Sequence, residues 1–347
     1  MGKQSLGRAT VAVGVIILAG VPLTGQSAPA AGSTGSNAPI GQAVLGYVVE
    51  SPRLALRTIL GIPGAARFSD PLPLPESATY ARVAPGQAYA LVEFANGDPA
   101  VLPLNGVTTG QATPIPKALQ AADLVAFSPS GRSAVLYSAT AGRLQVIAGL
   151  PAAPRILQDL DAGMLPGQPT AAAVSDDAGS VLLASDGAVD MLLSGGPIRR
   201  LLSLTGSAAL TFFPNSSQAA IADRSAGSLY LVQRAGDSVS TMLLAIGLQA
   251  PDEMSATADG QGLLTTNREN RSIGFVNSRT GEMKTVTLPI SPVRMDRLAN
   301  METFLIAAEP GQPAWIISRE RSDVLATFVP AVPLSRRHPI VRRAGDR

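Results

Sequence analysis

From residue 78 onward, apolar residues fall into short runs separated by clusters of Pro, Gly, Asp, Asn and Ser, and no stretch sustains a helical period. The clearest unit starts at Asp123. Leu124-Val125-Ala126-Phe127 reads as a strand and Ser128-Pro129-Ser130-Gly131 as a turn. Ser133-Ala134-Val135-Leu136-Tyr137 is a second strand, and Leu144-Gln145-Val146-Ile147, after the Ala141-Gly142 turn, is a third. The alternating Arg155-Ile156-Leu157-Gln158-Asp159-Leu160 is a fourth. Four strands with tight turns within about 40 residues predict an antiparallel meander.

The same order recurs. Residues 80–83 turn at Pro85-Gly86 into 89–92, and 171–174 turn through Asp176, Asp177 and Gly179 into 181–184. Residues 209–212 turn at Pro214-Asn215-Ser216 into 219–222, and 254–257 turn at Asp259-Gly260 into 263–266. Residues 295–298 turn near Asn300 into 303–306. The turn residues Gly86, Gly131, Gly179, Ser216, Gly260 and Met301 are 45, 48, 37, 44 and 41 apart. That is the period of a propeller blade, about 40–45 residues.

The strands are apolar on both faces in places, as at Leu182-Leu183 and Leu243-Leu244. One small sheet cannot bury two faces, but sheets stacked around a ring can, leaving only short edges. The expected fold is therefore all-β: a β-propeller of four-stranded antiparallel blades, with six full repeats over residues 78–330. Phe127, Phe212 and Phe275 are expected to fill the space between blades. An N-terminal hairpin, 45–49 and 56–60, reads as the last two strands of a further blade. Seven blade positions are preferred, and six is the alternative.

At the fifth repeat the letters carry more. Leu264-Thr265-Thr266-Asn267 is followed by Arg268 to Val276, then Asn277, and by the turn Thr280-Gly281. This resembles a YVTN-type propeller repeat, in which a strand ending in Thr-Asn pairs with one ending in Asp before a Thr-Gly turn. Thr266-Asn267 and Thr280-Gly281 match; Asn277 stands where Asp is usual, and Leu264-Thr265 replaces the naming Tyr-Val. The resemblance implies an exported or surface propeller, in a group that spans binding proteins and lactonases.

The chain ends differ from this body. Lys3 and Arg8, an apolar run over 11–21 and Ala28-Pro29-Ala30 have the grammar of a secretory signal over residues 1–30. Residues 31–42 read as a flexible leader, 43–331 as the propeller, and 332–347 as a basic disordered tail with five arginines. The isoelectric point of about 9.1 comes from these ends, and the body is acidic. It shows no Lys/Arg cluster of the kind nucleic acid requires. With three lysines against 24 arginines, the usage points to a GC-rich bacterial genome. The expected location is secreted, periplasmic or on the cell surface.

Composition then removes chemistries. No cysteine excludes disulfides and thiolate sites, and a single histidine in the tail, His338, argues against a Ser-His-Asp relay. The expected site is the channel mouth, with Asp176, Asp177, Asp223, Arg224, Asp252, Glu253, Asp296 and Arg297 as binding candidates; Asp123 and Asp259 lie in similar loops. Asp176-Asp177 offers oxygen ligands for calcium, or else an Asx turn, which is preferred because no full calcium loop is present. Asp252-Glu253 is the other paired carboxylate, where like charges raise one pKa. The expected function is a non-catalytic scaffold for a protein or glycan partner, acting as a monomer without nucleic acid. Membrane contact is expected only during export or weakly through the tail. The alternative is a hydrolase or lactonase using channel-mouth carboxylates, with or without calcium.

Overall fold

The computed structural model describes residues 43–50, 54–236, 238–299, 302–307, 312–320 and 323–331, all within one compact unit. The signal, leader and tail lie outside the described residues, as do Asn300 and Met301. The strands form seven antiparallel sheets in chain order, numbered here as blades. Blade 1 holds β1 (Val44–Glu50), β2 (Ala55–Leu60) and β3 (Arg67–Leu72). Blade 2 holds β4 (Ala78–Val83), β5 (Tyr89–Phe94) and β6 (Ala100–Asn105), with β7 (Thr108–Thr109) and β8 (Thr113–Pro114) both paired to β6. Blade 3 is β9 (Leu124–Phe127), β10 (Ser133–Ser138), β11 (Arg143–Ala148) and β12 (Arg155–Asp161). Blade 4 is β13 (Ala171–Val174), β14 (Ser180–Ser185), β15 (Ala188–Leu193) and β16 (Ile198–Ser203). Blade 5 is β17 (Ala208–Phe212), β18 (Ala219–Asp223), β19 (Ser228–Ala235) and β20 (Ser238–Ile246). Blade 6 is β21 (Glu253–Ala256), β22 (Gly262–Asn267), β23 (Ser272–Asn277) and β24 (Met283–Thr287). Blade 7 is β25 (Arg294–Arg297), β26 (Thr303–Ala307), β27 (Ala314–Glu320) and β28 (Asp323–Val329). Among the described residues the only helix is one 3₁₀ turn, Ala162–Met164.

The two-faced apolar pattern explains the ring. On β10, Ala134 and Leu136 enter the core shared with blade 2, while Val135 and Tyr137 enter the core shared with blade 4. Leu182 and Leu183 divide in the same way between blades 5 and 3. Seven such cores join each blade to the next, and the last joins blade 7 to blade 1 through Leu298, Leu305 and Ile316 against Val48 and Ile59. Each buried Leu, Ile or Phe contributes about 1.5–3 kcal/mol, so opening one interface exposes a whole core. Phe212 is 1% exposed between blades 4 and 5. Leu243, in contrast, lies on the outer strand β20 and is 53% exposed, because the blades splay at the rim.

Blade 1 departs from the others. The N-terminal hairpin acquires a third strand, β3, whose Pro71 and Asp70 hid it in the pattern. Its edge strand β1 runs opposite to the inner strand β25 of blade 7. Leu45 O, near its start, accepts from Ala299 N just past the end of β25, and Val49 O, near its end, accepts from Arg294 Nη2 at the beginning of β25. The direction of β1 is that of a second strand, so blade 1 supplies second, third and outer positions, and no described strand lies on the channel side of β1. Side chains serve that edge instead. Gln87 Oε1 accepts from Tyr47 N while Gln87 Nε2 donates to Arg297 O at 2.9 Å.

Candidate functional site

Six inner strands, β4, β9, β13, β17, β21 and β25, surround a channel of about 350 Å³. Small residues, Ala171 to Ala173 with Ala208 and Ala209, keep one wall open. The chain enters each inner strand at one mouth and turns into the second strand at the other. The turn mouth is built from a recurring six-residue loop. In it Ser128, Ser175 and Thr257 each take their own backbone N–H to the carbonyl five residues on, and their hydroxyls accept the N–H of that same residue. This loop sits where the sequence spacing placed the turns.

Asp176 and Asp177 lie in that loop on blade 4 but have separate tasks. Asp177 Oδ1 accepts from Ser175 Oγ and, at 2.9 Å, from Gly179 N, closing an Asx turn. Asp259 does the same on blade 6 with Thr257 Oγ1 and Gln261 N. Asp176 points sideways: Oδ1 accepts from Ser130 N (2.8 Å) and Ser130 Oγ (2.6 Å) on blade 3, and Oδ2 from Asn215 N (2.8 Å) on blade 5. Burial pushes its carboxyl up, but the hydrogen bonds from Ser130 and Asn215 outweigh this and hold it below the ordinary value. Beside it a cleft of about 660 Å³ is lined by Arg132, Arg155, Asp177, Asn215, Ser216 and Ser217.

The other predicted residues collect at the entry mouth. Asp223 Oδ1 accepts from Ser225 N and Ala226 N at 2.9 and 3.0 Å, capping the turn after β18. Arg224 pairs with Asp252 of the next blade and with Glu269 at 2.7 Å. Asp252 Oδ2 also accepts from Arg268 N, just as Asp123 Oδ2 accepts from Ala139 N, both at 2.7 Å. Thus both aspartates brace the turn after a second strand. Asp296 pairs with Arg294 at 2.7 Å. Glu253, lining the channel, accepts from Met295 N at 2.7 Å. Burial is the main cause that pushes its carboxyl up, Asp296 adds to it, and the Met295 N–H, Arg82 and Arg294 oppose it.

The sign of that shift gives a testable result. A native state that holds the Glu253 proton more tightly than the unfolded chain loses stability as pH rises from the unfolded pKa, about 4.3, through the raised native one. Glu253→Gln cannot ionise and escapes the loss. Its urea midpoint relative to wild type is expected to climb between pH 4 and pH 8, and a difference independent of pH contradicts the assignment.

The candidate set therefore divides. Asp176, Asp177 and Arg297 belong to the turn mouth, Asp223, Arg224, Asp252 and Glu253 to the entry mouth, and Asp296 lies between. Gln87, Arg82, Arg294 and Ser130 were not among the predicted residues. Of these, Gln87 and Ser130 carried a signal, since each lies in a turn after an inner strand. Among the described residues no three His, Cys, Asp or Glu side chains converge to hold a metal ion.

No family model matches this chain, and no curated protein matches it. Solved structures do. A protein of unknown function from Desulfotomaculum acetoxidans superposes with a TM-score of 0.59 at 12% identity, covering 84% of this chain and 100% of its own. The periplasmic gluconolactonase PpgL of Pseudomonas aeruginosa gives 0.57 at 14% identity, covering 83% and 96%. The β-propeller domain of Cps50 (Swd1) from Myceliophteria thermophila gives 0.53 at 10%, covering 73% and 86%. The chain is a seven-bladed β-propeller. At these identities the likeness establishes the fold and nothing finer.

Proposed function

We propose that this propeller is a non-catalytic binding scaffold that receives a glycan at its turn mouth. One observation carries the reading: the mouth carboxylates already accept from backbone N–H groups, hydroxyls or arginines of their own fold. Asp176, Asp177, Asp223, Asp252 and Asp296 all do so. A hydrolase needs a carboxylate free to move a proton at a reacting atom, and a calcium site needs several oxygens on one point. The cleft beside Asp176, lined by hydroxyls, an amide and charged groups, has the hydrogen-bonding character of a sugar site rather than of an apolar protein interface.

The competing reading is a propeller lactonase. It draws on Glu253, a half-buried channel carboxyl whose pKa burial raises, and on the likeness to a gluconolactonase. A glycan array probed with the full chain, and with Arg132→Ala and Asn215→Ala, tests the first reading: binding is expected and should weaken at least tenfold (about 1.4 kcal/mol) in the variants. Glucono-δ-lactone is expected to open no faster than in buffer. Turnover that falls in Glu253→Gln, or an array with no binding, decides against the scaffold.

Calcium has its own test. Calcium chloride in place of EDTA is expected to leave the melting temperature unchanged, since a ligand of the native state alone raises it. We also place the mature protein outside the cytoplasm, on the strength of the apolar run over residues 11–21. Kinship with YVTN-type repeats is supported by the Asn277 turn, where Oδ1 accepts from Arg279 N and Thr280 N at 2.9 and 3.0 Å, as an Asp there would. Among the described residues no helix is long and apolar enough to cross a membrane.

A further inference from the structure

The outer strand of each blade is an edge, with backbone N–H and C=O groups that another strand can pair. Six blades guard theirs. A proline stands in β3 (Pro71) and in the short β8 (Pro114), and a charge stands in β12 (Asp159), β16 (Arg200), β24 (Lys284) and β28 (Asp323). Blade 5 does not. Its outer strand β20 has nine residues, the longest of the described strands, and holds neither a charge nor a proline. Among the described residues no backbone hydrogen bond reaches it from outside blade 5.

Apolar side chains are bare along this edge. Met242 is 51% exposed and Ile246 68%, with Leu243 between them. Met283 of blade 6, whose Cε lies beside Gly247, extends the patch. The free edge has a definite end. A β-bulge leaves Leu244 without a partner on β19, and the Gly281 turn of blade 6 packs against Leu244 O. Ser238 to Leu243 remain open to a second strand.

We propose that this edge docks a second copy of the chain: Ser238–Leu243 of the two copies pair antiparallel about a two-fold axis, joining both blades 5 into one continuous sheet. Three features favour a copy over a foreign strand. Self-pairing sets uncharged residues opposite uncharged ones at every register of this segment, whereas the charged outer strands would bring like charges together near the axis. The bare side chains amount to a few hundred Å² per copy. With the paired edges the total reaches about 1,000 Å², the least that a specific interface needs. Finally, each chain offers one such edge, so the contact closes at two copies and does not run on into a fibre. A contact of that size is weak, and the chain is monomeric when dilute. The segment shares no residue with the cleft beside Asp176, so the pairing is independent of the glycan reading.

Sedimentation velocity of the full chain tests this, with a passage from monomer to dimer expected between micromolar and millimolar concentration. Met242→Lys, which gives β20 the kind of charge that other outer strands carry, should weaken association by at least about tenfold without lowering the melting temperature. Leu157→Lys on β12, at an exposed apolar position of another outer strand, should leave association unchanged. The chain has no cysteine, so a nitroxide can be placed singly at Ser240→Cys or at Leu157→Cys. The first should show dipolar coupling to its copy at high concentration, and the second should not. A monomer throughout, association that Met242→Lys leaves intact, or an uncoupled label at Ser240→Cys overturns the proposal. So does flotation of a monomeric chain with phosphatidylglycerol vesicles that Met242→Lys abolishes, which would give the patch to a lipid surface instead.

Discussion

Asp176→Ala is expected to lower the stability of the propeller by about 3 kcal/mol. The carboxylate is 8% exposed and joins three consecutive blades through Ser130 N, Ser130 Oγ and Asn215 N. Alanine leaves two backbone donors unpaired where the loops pack, at about 1–3 kcal/mol each. Asp176→Asn keeps one acceptor oxygen and should fall between wild type and alanine. The pH dependence has a definite sign. Since the native carboxyl sits below its ordinary value, its contribution is fully present above the unfolded pKa, about 3.9, and disappears as pH falls through the lower native one. Urea midpoints followed by circular dichroism at pH 7 and in acid check this: the gap between Asp176→Ala and wild type should close in acid. A gap below about 0.5 kcal/mol at pH 7 would show that the three blades do not depend on this carboxylate.

The second large effect concerns the closure at blade 1. Gly46→Ala is expected to cost about 2–4 kcal/mol, because a Cβ there overlaps Gln87 Oε1 and comes within 2.7 Å of Leu298 Cδ2. Gln87 would be expelled from the edge of β1, leaving Tyr47 N and Arg297 O without the partner that now joins them. Gln87 itself holds a left-handed backbone at φ 60°, in the loop position that Gly131 fills in blade 3 at φ 74°. A residue kept in that conformation is held there by its surroundings, and here the surroundings are its two buried hydrogen bonds. Gln87→Ala alone should cost a similar amount. In the double variant the overlap with Gln87 is gone and only the Leu298 side chain has still to shift, so the two costs should not add, and a coupling above about 1 kcal/mol is expected from the cycle. Strict additivity would mean that Gln87 and Gly46 act on separate parts of the closure.

Much of the fold was legible because a blade is a local object. Period-two strands and Pro/Gly turns repeat at a fixed spacing, and both are set by neighbours in the chain. The strands at 124–127, 133–137 and 144–147 fall inside β9, β10 and β11. The third strand of blade 1 was not legible, since Pro71 and Asp70 break the apolar pattern that β3 otherwise carries. Of the candidate site, the sequence placed the loops between inner and second strands but not what each side chain does there. Asp176 and Asp177 look alike as letters, yet Asp177 closes its own turn and Asp176 holds two neighbouring blades.

By itself, then, the order of residues determined the repeat, the strands, the turns and the need for a ring, because each depends on contacts a few positions apart or on one sheet having two apolar faces. The tertiary structure alone decided the direction of β1, the use of Gln87 and Arg294 along its edge, and the meeting of Arg297 with Pro129 across 168 positions. Such contacts arise only when the ring closes and brings distant blades around one axis. No local pattern encodes them, since the partner of each group is chosen by how many blades lie between.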